Sequence, residues 1–157
     1  MSRATIEEIY YTVGRIIENS QFLEWNLALI VHYHIILREF KETGELPVHR
    51  YNQLEKQAKE LRDKMKTMTL GEILMTAKEV RGITEQDIRL LRQVLTDRNY
   101  IVHGFFKDND FNAAYDDYVF LQRKQRELDR ILEDMKEMND TLCAIALEQK
   151  RTYDSIS

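Results

Sequence analysis

Proline, glycine and cysteine are scarce in this chain of 157 residues, which has one proline, five glycines and one cysteine. Because glycine and proline are the residues that most often interrupt helices, their scarcity beside many helix-forming residues predicts an all-α fold. The single cysteine, Cys143, excludes an internal disulfide framework and a metal site built on a CxxC motif. It also fits a reducing compartment.

Long apolar runs are absent as well. No segment reaches the roughly 18 consecutive apolar residues that a membrane-spanning helix needs, and the first residues lack the apolar part of a signal peptide. We therefore expect a cytoplasmic protein that does not bind a membrane. The net charge of −4 argues against a broad basic surface for nucleic acid, although RNA at one local site and a basic partner protein remain open.

A long helix is predicted at each end of the chain. From Ile6 to Leu37 and from about Ala113 to Lys150, apolar residues recur at intervals of four and three positions, which is typical of helices that pack lengthwise. Ser20 could instead cap the start of a separate helix, but we favour one long N-terminal helix with a kink near this residue. Gly44 and Pro47 are expected to end it.

Three shorter helices are predicted between the long ones, at about 51–66, at 70–80 and from 85 to a stop at Gly104. Thr69 and Glu72 form the S/T-x-x-E pattern of a capping box. A loop is expected at 107–112, and the tail from about residue 151 is expected to fray. With no linker or repeat, residues 1–157 are expected to form one domain, an all-α bundle of four or five helices.

Arg98, Asn99 and His103 suggest the most specific chemistry in the chain. An arginine can hold a phosphate by two parallel hydrogen bonds, and a histidine transfers protons near neutral pH. Cleavage of RNA by its own 2′-hydroxyl needs one group to take a proton and another to give one. This pair could therefore cleave a phosphodiester without metal.

The spacing of these residues has a geometric consequence. On an ideal helix, Arg98 and His103 differ by about 140° around the axis, so they do not share a face. They converge only if the helix ends between them or if a second copy faces the first, and a two-fold dimer would place two arginines and two histidines around one cleft. A simpler interpretation is that Arg98 is a solvated residue paired with Asp97 or a nearby glutamate, and that His103 caps the helix.

The segment from Arg98 to His103 resembles the R-x(4–6)-H motif of the HEPN superfamily, including the polar residue after the arginine. Residues 69–74, TLGEIL, also look like a segment of some bacterial HEPN-like proteins. The resemblance implies a four- or five-helix bundle, a homodimer with both motifs in a shared cleft, and metal-independent ribonuclease activity. Such proteins often belong to toxin–antitoxin or phage-defence systems, and some members have lost catalysis.

Carried over residue by residue, the resemblance makes Arg98 and His103 catalytic and gives Asn99 a positioning role. Many members also use an acidic residue on an earlier helix, for which Glu24 is the candidate. Three aromatic residues around the motif could stack on RNA bases or could be core or dimer contacts, namely Tyr100, Phe105 and Phe106.

We expect no cofactor and no bound metal, because the common motifs for binding them are absent. The chain lacks HExxH, GxxxxGK[ST] and GxGxxG patterns. His34 lies on the apolar seam and is expected to be a hydrogen-bonded interior or interface histidine. The predicted function is a HEPN-type endoribonuclease that acts on RNA as a homodimer, with an antitoxin or other regulatory protein as a further partner. The alternative is a non-catalytic helical module for dimerisation and protein interaction.

Overall fold

All regular secondary structure in the part of the chain that the structure describes, residues 5–156, is helical. In this computed structural model the helices are α1 (Ile6–Thr43), α2 (Val48–Met65), α3 (Leu70–Lys78), α4 (Glu85–His103), α5 (Phe105–Asp108) and α6 (Tyr118–Ile156). The two long terminal helices with shorter ones between them confirm the predicted all-α bundle. Within residues 5–156 no helix has both the length and the apolar character needed to span a bilayer.

Threonine capping boxes open three of the helices, with Thr5 at α1, Thr69 at α3 and Thr84 at α4. At α3 the Thr69 hydroxyl accepts from the backbone N–H of Glu72 at 3.2 Å, and the Glu72 carboxylate accepts from the backbone N–H of Thr69 at 3.0 Å. Each box pairs N–H groups that a helix start would otherwise leave without a partner. The predicted helix starts at Thr69 and Thr84 are therefore confirmed.

α1 is one continuous helix through Ser20. The Ser20 hydroxyl donates to the backbone carbonyl of Ile17 at 2.6 Å, which is a contact made inside a helix and not at its start. This confirms the interpretation of one long N-terminal helix. α1 ends at Thr43 because Gly44 adopts a φ of 73°, and its N–H donates to the carbonyl of Phe40 at 2.7 Å.

The apolar seams of α1 and α6 pack against each other and form most of the core. The buried seam residues of α1 are Ile9, Val13, Ile16, Leu23, Leu27 and Ile30, and those of α6 are Leu121, Leu128, Leu132, Met135, Leu142 and Ala146. The predicted intervals of four and three positions are therefore satisfied within one chain. Because the seams are buried against each other, they are not available as the interface of a dimer.

Polar contacts between α1 and α6 fix the direction of the pair. The Gln125 side chain donates to the Thr12 hydroxyl at 2.8 Å, and the Gln149 side chain donates to the Ile30 carbonyl at 2.9 Å. Since the partners advance together along both helices, α1 and α6 run parallel. These contacts also penalise a shifted register, because a shift would leave buried amides without partners.

α4 runs antiparallel to α1 and positions the predicted motif. Near its end, Arg98 contacts Glu24 of α1, whereas Phe106, just beyond α4, stacks on Tyr10 near the start of α1. Leu95 of α4 is fully buried in the shared core. The predicted site residues therefore lie along the surface where α4 crosses α1.

Three segments differ from the sequence-based expectations. α6 begins at Tyr118 and not at about Ala113, because residues 111–117 form turns and irregular structure. α6 continues to Ile156 instead of fraying from residue 151, because the Tyr153 ring packs near Tyr33 and its hydroxyl donates to the Tyr51 hydroxyl at 3.0 Å. The expected loop at 107–112 begins with the last residues of α5, where the Asn109 side chain donates to a backbone carbonyl at 2.7 Å.

Candidate functional site around Arg98

Arg98 lies on α4 between a buried part of the helix and a part that is exposed to solvent. The preceding residue on the same face, Leu95, is fully buried, whereas the residue one turn later, Val102, is 56% exposed. The Arg98 side chain is 20% exposed, and its Nη1 donates to Glu24 Oε1 at 2.7 Å. Folding therefore holds a charged guanidinium at the protein surface by one short ion pair.

Asn99 completes the hydrogen bonding of Arg98. Its side-chain oxygen accepts from Arg98 Nη2 at 3.2 Å, so both terminal nitrogens of the guanidinium have a partner. Glu24, Arg98 and Asn99, three of the four predicted catalytic residues, are thus in direct contact within one chain. Two of the five N–H groups of the guanidinium make these contacts, and the other three make no hydrogen bond to the residues that the structure describes.

Asp97 has a structural role beside this cluster and does not pair with Arg98. It is buried, its Oδ1 accepts from the Gln93 side chain at 3.1 Å, and its Oδ2 lies 3.6 Å from Nη1 of Arg130 on α6. Asp97 therefore ties α4 to α6 one residue before Arg98. Of the two partners that the simpler interpretation allowed for Arg98, Asp97 is excluded, and Glu24 is the nearby glutamate that the same interpretation named as the alternative.

His103 is the last residue of α4 and is exposed to solvent. The helix is unbroken from Arg98 to His103 and ends beyond it, where the Gly104 N–H donates to the Tyr100 carbonyl at 2.8 Å. The two side chains are consequently about 140° apart around the axis and about 7.5 Å apart along it. A helix end between the two residues is therefore excluded, and within one chain their side chains do not converge.

The three aromatic residues near the motif have different environments. Phe105 is fully buried and packs on Phe111 with ring centroids 5.2 Å apart, so its predicted stacking on an RNA base is replaced by core packing. Tyr100 is half-buried, and its hydroxyl accepts from Asn109 at 3.3 Å. Phe106 is 39% exposed and stacks on Tyr10 at 5.2 Å. Phe106 is therefore the most accessible of the three.

A groove with a volume of about 350 Å³ adjoins Arg98 and was not predicted. It lies between α1, α2, α3 and α4, and Glu24 and Arg98 form part of its wall. Trp25, 62% exposed, lines the same groove beside Glu24. The sequence did hold a signal, because the one tryptophan of the chain sits between the seam positions Leu23 and Leu27, on the outer side of α1.

His34 lies apart from the Arg98 cluster. It is half-buried, and its Nδ1 accepts from the backbone N–H of Arg81 at 3.5 Å, as expected for a hydrogen-bonded interior histidine. Burial lowers the pKa of His34 below its ordinary value, and the charge of Arg38 acts in the same direction, while Glu79 opposes them. A neutral imidazole is therefore favoured in the folded protein.

Comparisons of the chain with models of protein families, with curated proteins and with solved structures find no match. The functional argument therefore depends on the residues themselves. Within residues 5–156, no three His, Cys, Asp or Glu side chains are grouped so that they could hold a metal ion.

Proposed function

We propose that the protein is a metal-independent endoribonuclease of the HEPN type that acts in the cytoplasm at a site formed by two copies of the chain. The observation that supports this proposal is the orientation of Arg98, whose guanidinium is held by Glu24 and Asn99 and still has three N–H groups available. A fixed guanidinium at the surface can bind a phosphate by two parallel hydrogen bonds.

The proposed reaction uses this guanidinium and two histidines. His103 of one subunit removes the proton of the 2′-hydroxyl, and the 2′-oxygen attacks the adjacent phosphorus. The bond from phosphorus to the 5′-oxygen breaks, and the protonated His103 of the second subunit gives its proton to that oxygen. Arg98 stabilises the charge that develops on the phosphate oxygens. The products are a 2′,3′-cyclic phosphate and a 5′-hydroxyl.

An exposed apolar surface next to His103 supports the proposed dimer. We call it the α1/α4 surface, and its members are Tyr10, Ile17, Val102 and Phe106, which are 54%, 40%, 56% and 39% exposed. Because α4 is antiparallel to α1, Ile17 lies at the level of Val102, directly beside the exposed His103 of the same helix. A two-fold contact through this surface would bring both His103 side chains together.

The resemblance to HEPN proteins also suggests a biological role for the proposed ribonuclease. A ribonuclease of this kind would act as the toxin of a toxin–antitoxin or phage-defence system. An antitoxin or other regulatory protein would then be its natural partner.

One observation favours a second function, a non-catalytic dimerisation and interaction module. The α1/α4 surface is apolar and exposed, so it could bind another protein as well as a second copy. Arg98 would then serve only to join α4 to α1 through Glu24. In this case neither Arg98 nor His103 is needed for any reaction.

Cleavage of a single-stranded RNA in EDTA tests the proposal. We expect the protein to cleave it, and we expect Arg98→Ala, Arg98→Lys and His103→Ala to lose roughly 10²–10⁴-fold in activity. Lysine should fail because it keeps the charge but loses the two-pronged geometry. The same samples should melt within a few degrees of the wild type. Equal cleavage by all variants, or activity that depends on added magnesium, would refute the proposed mechanism.

A further inference from the structure

The groove beside Arg98 contains side chains that the proposed chemistry does not use. Trp25 comes from α1, Arg62 comes from the last turn of α2, and Lys66 directly follows α2. The apolar lining consists of Leu27, Ala28, Met65, Met68, Ile73 and Leu95. An aromatic ring, two cations and an apolar lining in one groove are the combination that binds a nucleotide by its base and its phosphates.

Trp25 is placed to receive a flat ligand. Its side chain is 62% exposed, and among the residues that the structure describes its ring stacks on no other aromatic ring. The adjacent residue in the chain, Glu24, binds Arg98 directly. Trp25 and Arg98 line the same groove, so a phosphate held by Arg98 would lie in the groove that the tryptophan ring lines. The methionines of the lining add flexible, polarisable contacts that adapt to different bases.

The charge of the groove differs in sign from that of the chain. Arg62, Lys66 and Arg98 contribute three positive charges against the two negative charges of Glu24 and Asp63, whereas the whole chain carries −4. Lys66 directly follows α2 and keeps a helical backbone conformation, with φ −62° and ψ −26°, so it lies about one helical turn from Arg62 on the same side. The groove thus offers a local positive site on an acidic protein, which suits a phosphate chain more than a peptide of mixed charge.

From these observations we infer that the groove is a subsite for one unpaired ribonucleotide adjacent to the scissile phosphate. Its base stacks on Trp25, the flanking phosphate binds Arg62 and Lys66, and Arg98 holds the phosphate at the other end. The base must be unpaired, because a base inside a duplex does not expose its face for stacking. This inference depends on the proposed function only in so far as the adjacent phosphate is the one that is cleaved. Binding of the nucleotide does not require cleavage.

Trp25 itself provides the measurement, since it is the one tryptophan in the chain and its fluorescence reports directly on the groove. The probe is a short single-stranded RNA with 2′-O-methyl groups, which no 2′-hydroxyl attack can cleave. We expect saturable quenching of the wild-type fluorescence. The anisotropy of a labelled copy of the same RNA should show binding weakened roughly 5- to 150-fold in Trp25→Leu. Phe22→Leu is the matched control, since Phe22 is 54% exposed on α1 and does not line the groove.

The cations are tested by the salt dependence of the same binding. Replacing both Arg62 and Lys66 by alanine should reduce the slope of log affinity against log salt by about 1.4, since each phosphate contact on a single strand contributes about 0.7. Replacing Lys150 and Arg151 by alanine removes the same charge from an exposed part of α6 and should leave the slope unchanged.

The outcomes separate the subsite from the proposed nuclease. Quenching and Trp25-dependent binding without any cleavage of ordinary RNA would support the subsite and refute the nuclease. Cleavage of ordinary RNA with no quenching, or with Trp25→Leu binding like Phe22→Leu, would refute the subsite and leave the nuclease standing. Equal quenching by a duplex of the same length would also overturn the inference, because the base would not need to be unpaired.

Discussion

Arg98 and Glu24 are 74 residues apart in the chain, and the distance between Arg98 Nη1 and Glu24 Oε1 is 2.7 Å. The contact joins the end of α4 to the middle of α1 and faces the groove. Its energetic contribution to folding is small, because exposed ion pairs typically contribute about 0.2–1 kcal/mol. Its main structural effect is to hold the guanidinium of Arg98 against Glu24, with Asn99 as the second partner.

We predict that Glu24→Gln lowers the rate of RNA cleavage by roughly 10- to 100-fold, because small misplacements of a catalytic group have effects of this size. The loss should fall mainly on kcat, with the melting temperature almost unchanged. Glu39→Gln is the matched control, since Glu39 makes a 2.7 Å ion pair with Arg50 at a distance from the Arg98 cluster. If both variants cleave at the wild-type rate, Glu24 has no positioning role.

We predict a homodimer that uses the α1/α4 surface. Light scattering at micromolar concentration should give about twice the chain mass of 18.8 kDa. Val102→Asp should shift the protein to the monomer, because it places a charge in the centre of the contact. Leu147→Asp should not, although Leu147 on α6 is similarly exposed at 58%. A wild-type protein that remains monomeric over this range would remove the argument for a shared cleft.

We predict that the buried amide pair between α1 and α6 stabilises the fold. Asn26 donates to the Asn139 side chain at 3.0 Å, and Asn139 donates to the Asn19 carbonyl at 3.0 Å. Asn139→Ala should lower the free energy of unfolding by about 1–3 kcal/mol, because it leaves these buried groups without partners. Asn52→Ala, at an exposed position, should have a much smaller effect. Equal denaturant midpoints for the two variants would contradict this account of the seam.

We predict that His34 makes folding stability decrease in acid. The pKa of His34 is lowered in the folded state by burial and by Arg38, so the unfolded chain binds the proton more tightly. This contribution is complete above about pH 6.5 and is lost as the pH falls below that value. His34→Gln should therefore flatten the loss of stability below about pH 6.5, measured by urea unfolding, whereas His49→Gln at an exposed position should not. If the free energy of unfolding depends on pH in the same way for wild type and His34→Gln, the burial of His34 does not contribute to the loss of stability in acid.

The sequence predicted local features of the fold well. The helix starts at Thr69 and Thr84 and the stop at Gly44 depend on hydrogen bonds between residues a few positions apart, which a pattern of letters reveals. The partner of each apolar seam was not predictable in this way. Intervals of four and three positions show that a helix packs against something, but α1 finds its partner in α6, 113 residues along at the contact of Thr12 with Gln125.

In the candidate site, too, some features were predictable from the sequence and others were not. The motif residues were recognised in the sequence, and the resemblance suggested Glu24 as an acidic residue on an earlier helix. The contact of Glu24 with Arg98 and the environment of each aromatic ring were known only from the structure. Phe105 and Phe106 are adjacent in sequence, yet one is fully buried and the other is 39% exposed, because they are the first two residues of α5 and point about 100° apart around its axis. Exposure of this kind depends on the position of other helices, and for the same reason the groove at Trp25 was missed.

The account depends most on the claim that two His103 side chains act in one cleft. If both are required, a dimer of one wild-type subunit and one His103→Ala subunit is inactive. Equal amounts of the two proteins, unfolded and refolded together, should then cleave RNA at about one quarter of the rate of the same total amount of wild type, because random pairing makes about one quarter of the dimers wild type in both subunits. Mixing with His49→Gln should leave the full rate. A rate of one half with His103→Ala would mean that each subunit acts alone, and a wild-type protein that fails to cleave RNA in EDTA would contradict the account altogether.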